Sequence, residues 1–107
     1  MNNFIGKWAI IEMEQWDQEY IDLVEPGYFN FEKGGQGQFV FGTVNGFIDC
    51  RYDNEKHPTK VDFSWEGSSE HDPVSGRGWF KIKSENSIYG MLFIHNSDES
   101  WVKATKK

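Results

Sequence analysis

The residue types that most often carry chemistry are sparse in this chain and badly spaced for it. Its three histidines are His57, His71 and His95. Glu70-His71-Asp72 offers ligand-capable groups in a row. Adjacent residues rarely chelate one ion, however, and no His-x-x-x-His pair supports the run, so no metal site is expected. His95, Asp98 and Ser100 are the residue types of a nucleophilic triad, yet no Gly-x-Ser-x-Gly elbow presents a serine to attack. At a strand end, His95 reads as a hydrogen-bonded structural group. Cys50 alternates with Ile48 and Tyr52, which suggests a buried, inert thiol. As the only cysteine, it excludes an internal disulfide and a Cys-cluster zinc site. Gly34, Gly35, Gly37 and Gly42 flank strands with no helix behind them, so no phosphate loop is indicated. Arg77, set between glycines, is expected to pair with Glu66 or Asp62 in a structural role. The expectation is therefore a non-enzymatic protein without metal or cofactor. An enzyme using Glu70, His71, Asp72 or His95 is the rival reading, and retained activity after His71→Ala and His95→Ala would remove it.

The charge distribution says more. The chain has 107 residues, 11 Lys plus Arg against 17 Asp plus Glu, and a net charge of −6. From Trp8 to Glu32 there are seven acids and no Lys, Arg or His. Such a run is commonly a solvated face. It is also the electrostatic surface a basic partner would use, speeding association and setting specificity. Glu14, Asp17, Glu19, Asp22 and Glu25, with Glu70 and Asp72, are the candidate partner-binding residues. The same field opposes the phosphate backbone, so nucleic acid is not the expected ligand. No uncharged run is long enough to span a membrane, and no secretory signal is visible at the N-terminus. A lone cysteine fits a reducing cytoplasm.

These residues must be positioned by strands. Aromatics make up 17% of the chain, enough to build one core. Short aromatic or β-branched runs alternate with Gly, Asn, Asp or Pro clusters about every ten residues, the spacing of an all-β sandwich or barrel. Eight strands are expected, over 4–14, 28–33, 37–42, 44–52, 59–66, 77–83, 88–95 and 100–105. Phe29 and Phe31, Phe39 and Phe41, and Val61, Phe63 and Trp65 each share a face. Short connections imply an antiparallel up-and-down meander, which eight strands can close into a barrel. Residues 15–25 place Trp16, Tyr20, Leu23 and Val24 at helical spacing, a short helix or lid stopped by Pro26-Gly27. Residues 67–76 read as the longest loop. Strand 88–95 and the first strand are apolar on both faces. Phe47, Trp79, Tyr89 and Trp101 would form an aromatic recognition patch if exposed.

Phe4-Ile5-Gly6-Lys7-Trp8 resembles the F-x-G-x-W opening of the calycins, the lipocalins and fatty-acid-binding proteins. That resemblance implies a single eight-stranded calycin-like barrel over 1–107, with Trp8 closing one end. It further implies a late basic residue capping Trp8, for which Lys103 is the candidate. The ending Ser100–Thr105 has no Arg-x-Tyr pair of the kind fatty-acid-binding proteins use to hold a carboxylate. Glu12–Asp17, Phe41–Gly46, Trp65–Gly67, Gly76–Trp79 and His95–Ser100 resemble small bacterial barrels. Barrels of this kind occur among immunity proteins of contact-dependent growth inhibition. The function this implies is a cytoplasmic inhibitor that blocks a basic toxin domain, a nuclease. The alternative is an apolar-ligand barrel lined by Phe29, Phe31, Phe39, Phe41, Phe63 and Trp65.

Overall fold

The computed structural model describes residues 2–107. Eight strands form one closed antiparallel barrel in strict chain order: β1 Gly6–Met13, β2 Tyr28–Phe31, β3 Gln36–Phe41, β4 Val44–Tyr52, β5 Lys60–Ser69, β6 Asp72–Ser84, β7 Ser87–Ile94 and β8 Glu99–Lys106. The single helical turn, α1 Gln18–Ile21, follows β1. Pairing of β1 with β8 closes the circle and removes both sheet edges. The expected class, an all-β up-and-down barrel of eight strands with a short helix after the first, is what the chain adopts.

Alternation dictates the core. Phe29, Phe31, Phe39, Phe41, Val61, Phe63, Trp65 and Phe80 all point inward and are buried. Their rings pack against one another: Phe29 lies 4.8 Å from both Phe39 and Phe80, and Trp65 meets Phe39 edge-on at 5.0 Å. A narrow barrel holds so many rings only where neighbouring inward positions are empty. Gly46 and Gly78 supply those gaps. A Cβ on Gly46 would stand 2.6 Å from the Phe39 ring, and one on Gly78 2.6 Å from the Phe63 ring.

Several expectations are corrected. Residues 67–76 are not a loop. β5 and β6 run on through them and turn at Glu70-His71, both left-handed (φ 51° and 76°), as a two-residue hairpin of the primed kind requires. The stretch Gly67–Gly76 breaks the alternating pattern, and its turn pair lacks the glycine or asparagine that usually marks such a hairpin. On the first strand, a bulge between Ile10 and Glu12 shifts the register, so Met13 joins Trp8 and Ile10 inside while Ile11 faces out. Only one turn of the 15–25 segment is helical. Its buried residue is Ile21, whereas Leu23 and Val24 are exposed. The cap on Trp8 is Lys106 rather than Lys103. Register pairs Trp8 with Lys106, whose Nζ lies 4.6 Å from the Trp8 ring centroid and donates to the Ile5 carbonyl. Lys103 instead faces outward to Glu12 at 3.6 Å.

Candidate functional site

An up-and-down barrel gathers alternate connections at opposite ends. One end holds residues 14–27 and the turns at 42–43, 70–71 and 95–98. The other holds 2–5, 32–35, 53–59, 85–86 and the C-terminus. This sorting brings all seven predicted acids, Glu14, Asp17, Glu19, Asp22, Glu25, Glu70 and Asp72, to one end, where all are exposed. Asp98, from the β7–β8 connection, and Glu99, at the start of β8, join them; the sequence did not place either among the partner-binding acids, and only closure of the barrel reveals their position. Among the described residues, the connecting segments at this end contain no Lys or Arg. At the opposite end Lys33, Lys56, Lys60, Lys106 and Lys107 face Glu32, Asp53, Glu55 and Glu85, so charge there nearly cancels. The molecule is an elongated body, 37 Å along its longest axis, with one strongly negative end.

The scaffold under these acids is tightly built. Asp17 caps α1 by accepting from the Tyr20 N–H at 2.9 Å. Asp22 accepts from the Gly27 N–H at 2.8 Å and from Gln18 Nε2 at 3.0 Å. Those donors, the Gly27 N–H foremost, hold the Asp22 carboxyl below its usual range. Trp16 packs at a tilt against Phe41, ring centres 4.8 Å apart, and the Tyr20 hydroxyl shares a 3.1 Å hydrogen bond with Thr43 Oγ1, which in turn meets Ser69 Oγ at 3.3 Å. A Cβ on Gly42 would fall 2.2 Å from the Tyr20 ring. The segment after β1 thus lies across this barrel mouth, latched to the β3–β4 turn, and presents its acids outward.

The remaining chemical candidates separate. Ser100 is fully buried; its Oγ accepts from the Glu14 N–H at 3.0 Å and the Gln15 N–H at 3.3 Å, and donates to the Trp101 carbonyl at 2.8 Å. With its hydroxyl committed to backbone, it is not placed as a nucleophile for His95. His95 is exposed, and its backbone N–H donates to the Ser75 carbonyl at 2.7 Å. Beside it lies an open cleft of about 610 Å³ whose lining includes Arg77, His95, Asp98 and Glu99. Arg77 does not pair with Glu66 or Asp62. Its guanidinium lies 4.1 Å from the centre of the Phe93 ring, and Asp62 is taken by Lys60 at 3.5 Å. Cys50 is buried, which pushes its thiol up to about 11 and away from thiolate chemistry. Among the described residues, no group of three His, Cys, Asp or Glu converges as a metal site, and no helix is long and apolar enough to cross a membrane.

Of the four aromatics expected to form an outer patch, Phe47 stands exposed on β4, apart from the rest. Trp79 and Tyr89 meet edge-to-face at 6.2 Å, and Trp101 lies beneath Lys103 at 5.1 Å. The six inward aromatics proposed to line a ligand cavity are buried against each other.

Fold and site together define a packed all-β barrel with an acidic, latched end. No protein-family model, curated protein or solved structure matches the chain.

Proposed function

We propose that this protein is an inhibitor of the immunity type, acting in the cytoplasm, that binds and blocks a basic toxin domain through the acidic end of its barrel. The toxin class the charge suits best is a nuclease, because an enzyme that holds phosphates must present Lys and Arg at its active site. The observation that carries this reading is the convergence of seven acids from two sequence regions on one end without a Lys or Arg in its connecting segments. The likeness of the opening and internal motifs to calycin-type barrels and barrel immunity proteins supports it. An interior filled by its own rings favours a protein partner over carriage of an apolar ligand.

The test is native mass spectrometry on the protein captured from its host, followed by charge reversal. The expected result is a basic polypeptide bound one-to-one. Glu19→Lys, Glu70→Lys and Asp72→Lys together should weaken that complex and flatten its salt dependence. Asp17 and Asp22 are spared, since each holds backbone in place. A bare 12.5 kDa species, or a complex indifferent to all three reversals, would overturn the reading.

A further inference from the structure

A folded barrel hides most large apolar side chains, and those left outside are informative when they cluster. Five remain exposed: Ile11 (50%), Leu23 (59%), Val24 (66%), Phe47 (69%) and Tyr89 (41%). Four of the five belong to two features of opposite charge. The first is a groove of about 520 Å³ on the wall where β1, β6, β7 and β8 lie side by side, lined by Ile11, Ile88, Tyr89 and Ala104 with Lys83 and Lys103. Lys83 makes no ion pair among the described residues, and Lys103 meets the exposed Glu12 at 3.6 Å and lies over the Trp101 ring at 5.1 Å. The second is the tip after α1, where Asp22-Leu23-Val24-Glu25 presents two aliphatic side chains between two carboxylates.

We propose that the Ile11–Tyr89 groove docks the Asp22–Glu25 tip of a second copy of this chain. The groove carries two cations, Lys83 and Lys103, among its apolar groups, and the tip carries two carboxylates, Asp22 and Glu25, about two aliphatic side chains. Leu23 and Val24 are two aliphatic side chains, and the groove lies within the size range of small-ligand sites, about 300–1,000 Å³. Seating them removes four exposed apolar groups from water at once. Pairing with Lys83 and Lys103 fixes the direction of entry and makes the contact salt-dependent. Reciprocal exchange of tips closes a two-fold dimer, and one-way docking grows an open chain. Either arrangement covers part of the acidic end, so self-association and capture of a basic partner would compete. The docking itself needs no second protein and stands or falls independently of the toxin reading.

The experiment is sedimentation equilibrium on the full chain, alone, over a range of concentrations at low and high ionic strength. The wild type is expected to associate at low ionic strength and to dissociate as salt is added. Tip reversal, Glu25→Lys, leaves Asp22 on Gly27 and should weaken association by roughly tenfold or more; groove reversal, Lys83→Glu with Lys103→Glu, should do the same. An equimolar mixture of the two reversed variants sets the wild-type tip of one against the wild-type groove of the other and should associate again, which damaged proteins would not do. Leu23→Ser with Val24→Ser, leaving every charge in place, should also give monomer. A wild type that stays at 12.5 kDa throughout, association that survives both reversals, or a mixture that stays monomeric would each overturn the proposal.

Discussion

At the scale of single residues, this barrel balances rings against gaps. Phe39 touches Phe29, Phe41 and Trp65, and Gly46 supplies the space its ring occupies. Phe39→Ala is expected to cost about 3–5 kcal/mol, read as a fall in the urea midpoint, because the surrounding rings cannot collapse into the hole. Gly78→Ala should destabilise by about 1–3 kcal/mol through overpacking, since the added carbon meets the Phe63 ring and the Met91 carbonyl. Ser100 illustrates how a residue of catalytic type can be purely structural. Removing its hydroxyl by Ser100→Ala leaves the Gln15 N–H without its acceptor, at an expected cost of roughly 1–3 kcal/mol, with the charged end otherwise unaltered.

At the scale of elements, the two segments that sequence patterning read least well are the two that shape the acidic end. The β5–β6 hairpin places Glu70 and His71 in the left-handed region, where a non-glycine L-residue costs roughly 1–2 kcal/mol each. Replacing the pair with Asn-Gly should stabilise the protein in a thermal melt, and a melting point that does not rise would mean the turn is not strained in solution. The helical turn α1 is far too short to persist alone and is held by its cap, by Ile21 and by the Tyr20–Thr43 latch. Asp17→Ala should therefore loosen the segment by about 1 kcal/mol and speed hydrogen exchange at Tyr20.

At the scale of the whole molecule, the governing fact is polarity of charge along the barrel. Two carboxyls, one at each end, are held below the ordinary aspartate value. Asp22 owes this first to the Gly27 N–H, and Asp53 first to the Thr59 hydroxyl. A group whose folded value is depressed lends stability above its unfolded value and loses it as pH falls. The acid limb of the stability profile should thus decline below about pH 3.8, and Asp22→Asn with Asp53→Asn should flatten that decline. Urea midpoints measured across the acid range check this, and an unchanged slope would remove both aspartates as its source.

Period-two alternation in strands such as Val61–Trp65, with turn residues between short runs, was sufficient to determine the class, the strand number and the inward residues of the alternating strands, but not those of the first and seventh, which are apolar on both faces. Side-chain parity and connection length are local properties that survive into the fold. The basic-free run 8–32 was equally legible, as was the burial of Cys50. What tertiary structure alone decided depends on register and closure. A bulge at Ile10–Glu12 moved Met13 inside, and the register of β1 on β8 set Lys106 rather than Lys103 against Trp8. Closure of β8 on β1 and the sorting of turns to two ends carried Glu70, Asp72, Asp98 and Glu99 to the acids after β1. No local pattern encodes that meeting, because it is made by pairings between residues far apart in the chain.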